Sequence, residues 1–199
     1  MDKKEELRRC GRELFSTKGF KDTNVADITK MAGMAAGTFY LYYPSKDVLF
    51  MELFMEENVK LKEELLKSAD PAARPIDVMK VMIAKNVAGL YENPILRHWY
   101  QRDVFTRIER NYRKEKGAEH FDFMFDAFRG SVEKWQAEGK MRSDIDSAMI
   151  MAIFAALVNI DTHKEEIGLQ YFPDVQVYIS EFVMQGLTNV PEKHNDREG

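Results

Sequence analysis

The chain has 199 residues, an apolar fraction of 45% and a formal net charge of −4 at pH 7. That length suits one large or two small domains with a sizeable core, and no uncharged apolar run reaches the roughly 18 residues a membrane-spanning helix needs. The opening MDKKEELRRC reads as a charged amphipathic helix rather than a signal peptide, so a cytoplasmic protein is expected. The single cysteine, Cys10, cannot form an internal disulfide; beside Gly11 it reads as a packed thiol in preference to a redox sensor. The charge is unevenly placed: residues 1–50 hold nine Lys or Arg against seven Asp or Glu, and residues 51–199 hold twenty against twenty-six. The small positive excess sits in the first quarter of the chain, where a nucleic-acid contact would use it.

Helical periodicity begins at once. Leu7, Gly11, Leu14 and Phe15 share one side of a helix over about Lys3 to Lys18, and Gly19 ends it before Phe20 turns back. Asn24 is an N-cap with a carboxylate, Asp27, three places on, and Val25, Ile28, Met31 and Ala32 form the apolar stripe of a second short helix. Gly33 supplies the left-handed turn, and a third helix starts near Ala35 to Gly37, carries Thr38, Phe39, Tyr40, Leu41, Tyr42 and Tyr43, and closes before Pro44. Helix, glycine turn, helix is the helix-turn-helix pattern, whose second helix enters the DNA major groove.

A fourth helix starts at Ser45, runs through Val48, Leu49, Leu53, Phe54, Leu61 and Leu65, and ends near Lys67. The segment SADPAARP, Ser68 to Pro75, is a break. Beyond it Ile76, Met79, Ile83, Val87 and Leu90 form a stripe ended by Asn93-Pro94, and Ile95, Trp99, Val104, Ile108 and Tyr112 form a less regular one. Phe121, Met124, Phe125, Phe128, Val132 and Trp135 make the strongest stripe, closed by Gly139. Asp144 is expected to open the next helix, in which Ile145, Ala148, Met149, Ala152, Ile153, Ala156 and Leu157 leave few polar positions, so that it should be buried. The last helix, about Asp174 to Leu187, carries Val175, Tyr178, Ile179, Phe182, Val183 and Gly186, and the polar tail 191–199 reads as disordered. The two C-terminal helices either complete a monomeric core or pair with their copies.

LFSTKGF at Leu14 to Phe20, together with ITKMAGMAAGTFYLYYPSKDVLF from Ile28 to Phe50, resembles the N-terminal domain of the tetracycline-repressor (TetR) family. The resemblance covers about the first quarter of the chain. It implies an all-α fold in which a three-helix DNA-binding domain, residues 1–46, precedes a helical effector-binding and dimerisation domain, residues 47–190, and the flexible tail. It further implies a homodimer on double-stranded operator DNA that a small-molecule effector releases, which makes the chain a repressor, with no cofactor, metal or membrane partner. Matching motif positions gives the DNA-facing set Asn24, Ala35, Ala36, Gly37, Thr38, Tyr40, Leu41, Tyr42 and Lys46, with Lys46 on a phosphate and Phe39 and Tyr43 turned inward. At the position where the family commonly caps its recognition helix with serine or another polar residue, this chain has Ala35, followed by Ala36, so a side-chain cap is missing.

The family's four-helix dimer interface would fall on Ala148, Ala152, Ala156, Tyr178, Ile179, Phe182 and Gly186. Met82, Tyr91, Trp99, Tyr100, Phe125, Phe128, Met151 and Phe154 suit an apolar or aromatic effector, and each equally suits core packing. Asn86, Gln101, Asn159 and His163 are the polar groups that could set specificity, and the fourth helix is the expected lever between head and body. Two other classes stay open: a DNA-binding architectural or constitutive regulator without a ligand, and a helical enzyme with an incidental helix-turn-helix. Against the enzyme, the chain has no GxGxxG, HExxH, P-loop or paired-cysteine motif, and His98, His120, His163 and His194 are scattered. Asp161, His163, Glu165 and Glu166 read as a solvated helix end rather than a metal or acid-base group.

Overall fold

The computed structural model describes residues 2–70, 72–101, 104, 122–160 and 163–189, the side chains of 99, 122–125 and 158 apart. In chain order these residues form α1 (Lys3–Thr17), α2 (Val25–Met31), α3 (Ala36–Tyr40), α4 (Lys46–Lys67) and α5 (Pro75–Glu92), then a 3-10 turn (Leu96–Tyr100), α6 (Asp122–Ala137), α7 (Ser147–Ile160), α8 (Lys164–Ile167), a second 3-10 turn (Leu169–Tyr171) and α9 (Asp174–Thr188). Among the described residues there is no strand, and no helix is long and apolar enough to cross a membrane. The expected tail, Phe121, Ile108, Tyr112 and Asp161 lie outside the described residues, as do the side chains of Trp99 and Phe125.

The helix ends follow from local chemistry. The α1 N-terminus is capped by Asp2, whose carboxylate accepts from the Lys4 N–H at 2.9 Å. Proline occupies the first position of α5, where its missing N–H costs nothing. Gly139 ends α6 at φ +69, with Gly139 N–H donating to Gln136 C=O at 3.1 Å and Lys140 N–H to Trp135 C=O at 2.8 Å, the paired bonds of a Schellman ending. One helix start differs from the sequence expectation. Asp146, not Asp144, caps α7 by accepting the Met149 N–H at 2.8 Å, because Asp144 is held by the Arg142 guanidinium at 2.7 Å.

Two compact units emerge, one of residues 1–65 with 85–122, the other of residues 66–84 with 123–199. The first is built on an aromatic centre from two helices and the turn after α1: Phe50 lies 5.1 Å from Phe15 and 4.8 Å from Phe20, ring centroid to centroid. Leu7, Leu14, Ile28, Phe39, Tyr43, Leu49, Leu53, Leu90, Ile95 and Leu96 are buried in the same core. This core therefore reaches well past residue 46, drawing in the first turns of α4 and the residues that follow α5.

Within the second unit α7 packs against α9. Phe128 meets Trp135 and Phe154 edge-on at 5.9 and 5.2 Å, and Ile150, Met151, Leu157, Met184 and Leu187 are buried. The expectation that α7 is buried all round is not met in the single chain. Ala148, Met149, Ala152 and Ala156 are exposed, and so are Tyr178, Phe182 and Gly186 of α9, with the Tyr178 and Phe182 rings stacked at 6.5 Å. Helical spacing explains the pattern: 148, 152 and 156 repeat every four residues and fall on one stripe, away from the buried Ile150, Phe154 and Leu157.

Candidate nucleic-acid interface

The helix-turn-helix is assembled by bonds that the local sequence dictates. Asn24 Oδ1 accepts the Asp27 N–H at 2.8 Å while Asp27 Oδ2 accepts the Asn24 N–H at 3.3 Å, a reciprocal capping box at the start of α2. The Asn24 carbonyl oxygen on the side chain is thereby engaged inside the protein. At the other end Gly33 takes φ +65, its N–H donates to Lys30 C=O at 3.2 Å and the Met34 N–H to Thr29 C=O at 2.9 Å. Only glycine adopts that turn without steric penalty, and the turn aims α3 away from α2.

α3 is shorter than the sequence suggested, ending at Tyr40 rather than running to Pro44. Leu41 is its C-cap, and the N–H groups of Tyr42 and Tyr43 both turn back to Phe39 C=O, at 3.0 and 2.9 Å. Ala35 gives no side-chain cap, as its methyl dictates. Phe39 and Tyr43, four apart, are fully buried, and Tyr43 is fixed by its hydroxyl donating to Glu52 Oε1 at 3.2 Å. Burial, then the charge of Glu52, pushes the Tyr43 phenol above its ordinary pKa, so it stays a neutral donor. With that pair inward, Tyr40, Leu41 and Tyr42 are driven outward, 58%, 81% and 39% exposed. Ala35, Ala36 and Gly37 are exposed and Thr38 is half-buried.

Lys46 behaves differently from its expected place on a phosphate. Its ammonium donates to the carbonyl oxygens of Phe20 and Thr23 at 2.7 and 2.6 Å and sits 4.5 Å above the Phe20 ring. It ties the start of α4 to the turn between α1 and α2 with two of its three N–H donors, and a longer contact to the Lys21 carbonyl at 3.4 Å engages the third. Lys30, at the end of α2, is an exposed cation of this unit.

Also unanticipated is an ionic seam along α1 and α4. Arg8 Nη2 lies 2.6 Å from Glu56 and its Nε 3.0 Å from Glu52; Arg12 Nη2 lies 2.7 Å from Glu56 and its Nη1 contacts Glu57. Glu57 also accepts from Asn93 Nδ2 at 2.9 Å. Burial opposes ionisation of Glu56 and Glu57, but hydrogen bonds from Lys60 and, at Glu57, from Asn93 together with the Arg12 charge prevail and hold both below the usual carboxylate pKa. The signal was present in the sequence: Arg8 and Arg12 are four apart, as are Glu52 and Glu56, so opposite charges recur at helical spacing on two helices.

Tyr91 and Tyr100 stack at 5.3 Å in the first unit, whereas Met82, Phe128, Met151 and Phe154 belong to the second. Of the proposed polar groups, Gln101 is bonded to His98, Asn86 to Lys62, Asn159 to the Ala155 carbonyl at 3.0 Å, and His163 to Glu166 at 3.2 Å. Among the described residues no cluster of His, Cys, Asp or Glu could hold a metal ion.

Residues 8–53, from within α1 to the second turn of α4, match the bacterial regulatory proteins of the tetR family. Over that segment the chain is similar to the TetR family. The TetR-family match takes in the whole helix-turn-helix together with Lys46 and the buried Phe39 and Tyr43. The HTH-type transcriptional regulator YdgC of Bacillus subtilis is 38% identical over 69 residues, 33% of this chain and 35% of that protein. The fatty acid metabolism regulator protein of the same organism is 28% identical over 78 residues, 39% of this chain and 40% of that protein. These matches thus span little more than a third of each curated relative. Likeness over the full length is one of fold. The TetR-family repressor FadR of Thermus thermophilus, in complex with lauroyl-CoA, superposes with a TM-score of 0.61 at 18% identity, covering 98% of this chain and 100% of that one.

Proposed function

We propose that this chain is a ligand-responsive transcriptional repressor that binds operator DNA as a homodimer and lets go when a small apolar effector occupies its helical body. The observation that carries the reading is the division of α3 and the turn that closes it: Phe39 and Tyr43 are anchored in the core, and Tyr40, Leu41 and Tyr42 are left projecting from a helix-turn-helix. That is how a reading helix must be built, rigid behind and open in front. Tyr40, Tyr42 and Thr38 would touch base edges and backbone, and Lys30 would neutralise a phosphate. Lys46 serves by holding the unit in shape.

The exposed apolar stripe of Ala148, Ala152 and Ala156 on α7, with Tyr178, Phe182 and Gly186 on α9, is the surface through which two copies would pair. Two heads then meet successive major grooves about 34 to 36 Å apart. For the effector, a long-chain acyl thioester is the first candidate. The relatives support that choice, one named for fatty acid metabolism and one bound to lauroyl-CoA, as do the large apolar side chains Met82, Phe128, Met151 and Phe154.

The effector reading is tested by preparing the protein on a fluorescent duplex that it selects from random DNA and adding lauroyl-CoA, stearoyl-CoA or CoA alone. Release by an acylated form and not by CoA is the expected result, since only a ligand that prefers the DNA-free state can shift the balance. A complex indifferent to acyl-CoA of every chain length rejects this effector class.

A further inference from the structure

We infer that this protein reads its operator largely through thymine methyl groups, with Leu41 as the residue that contacts them. The inference rests on the regulator reading above and specifies the chemistry of its DNA target.

Between Lys30 and Lys46 the chain has no Arg, Lys, Asn, Gln, Asp or Glu. That absence matters because the strong base contacts of the major groove come from those side chains: Arg or Lys on guanine, Asn or Gln on adenine, Glu or Asp on cytosine. α3 has none to offer. What remains is Thr38, two tyrosine hydroxyls, and apolar contact with the C5 methyl of thymine, the one hydrophobic feature of the groove floor.

Geometry selects Leu41 for that contact. Successive residues of a helix are turned by about 100°, so Leu41 lies about 200° round the axis from the buried Phe39, with Gly37 one turn before it on the same side. Leu41 is 81% exposed, more than Tyr40 or Tyr42, and a methyl placed on Gly37 would meet nothing within 4 Å. The outermost line of the reading helix is therefore a leucine next to a bare backbone, flanked by Ala35, Ala36 and Thr38, small side chains that let the helix approach the bases closely. An exposed leucine alone means little on a protein surface. This one stands at the crest of an element with no charged or amide reader to take its place.

The test uses the duplex that the wild-type chain enriches from a random-sequence pool, resynthesised with deoxyuridine in place of each thymidine in turn. Uracil pairs as thymine does and lacks only the methyl. At one or more positions in each half-site the replacement should weaken wild-type binding about fourfold, the value of moving one methyl out of water. Leu41→Ala should bind the thymine and uracil duplexes equally at those positions, with an unchanged melting temperature because the side chain is exposed. Wild-type binding indifferent to uracil throughout overturns the methyl reading and leaves the regulator standing. A full uracil penalty retained in Leu41→Ala overturns the assignment to this residue. Failure to enrich any duplex overturns both the inference and the reading on which it rests.

Discussion

His98 is the residue whose placement departs most from what its neighbours in sequence suggest. One of four scattered histidines, it is 3% exposed, with Nδ1 2.7 Å from Gln101 Oε1 and its ring edge-on to Phe50 at 5.4 Å. It also lies against Gly19, so it fills the centre of the helix-turn-helix unit from a turn that follows α5. Burial pushes its pKa below the ordinary imidazole value, against the opposing pull of Gln101 and the Phe15 backbone, and the charge of Arg97 adds to the lowering. The folded pKa is thus below the unfolded one. As pH falls past about 6.5 the unfolded chain takes up the proton first, so the stability that neutral His98 supports is whole above that pH and drains below it. Between about pH 7.5 and about pH 5.5 the melting temperature of the wild type should fall more steeply than that of His98→Gln. Parallel slopes would show that the imidazole does not titrate differently in the folded state. Glu56 and Glu57, whose pKa values are also lowered, belong to a separate window and lose their contribution only as pH drops through the carboxylate range.

At the scale of elements, Lys46 decides how the head is held. Its two short bonds to the carbonyls of Phe20 and Thr23 make it a brace for α4. Lys46→Met should destabilise the chain by about 1–3 kcal/mol in urea unfolding, the cost of charged hydrogen bonds lost to buried carbonyls. A variant with unchanged stability and a flatter salt dependence of DNA binding would return Lys46 to the phosphate. Much of this head was legible in the sequence because its signals are local. The capping box needs only Asn24 and Asp27, the turn only Gly33, and the α4 cap only Ser45, whose hydroxyl accepts the Val48 N–H at 3.3 Å. The inward turn of Phe39 and Tyr43 follows from their spacing. The occupation of Lys46, the α1–α4 seam and the burial of His98 were not legible, since each depends on partners 23 to 48 residues or more away. Close approach is likewise hidden: an added Cβ on Gly11 would lie 2.8 Å from Leu49 Cδ2, which a sequence shows only as a small residue beside a cysteine.

On the scale of the molecule, each of the two compact units has a surface to account for. The first leaves α3's outer side open, and the second leaves an apolar stripe on α7 and α9 that a single chain does not cover. The proposed symmetric dimer on DNA would give each surface an occupant: the stripe would meet its own copy, and the two heads would meet the duplex. Periodicity revealed which residues of α7 and α9 are apolar but could not tell core from interface, because both are paid for by the same burial of apolar area. The decisive measurement is equilibrium binding of the full chain to its selected duplex and to a scrambled one, from about 50 to about 200 mM salt, with the stoichiometry read in the same titration. The account predicts two chains on each selected duplex, at least about 10³-fold tighter binding than to the scrambled one, and affinity that falls steeply with salt. Equal affinity for the two duplexes, at any salt, would contradict it.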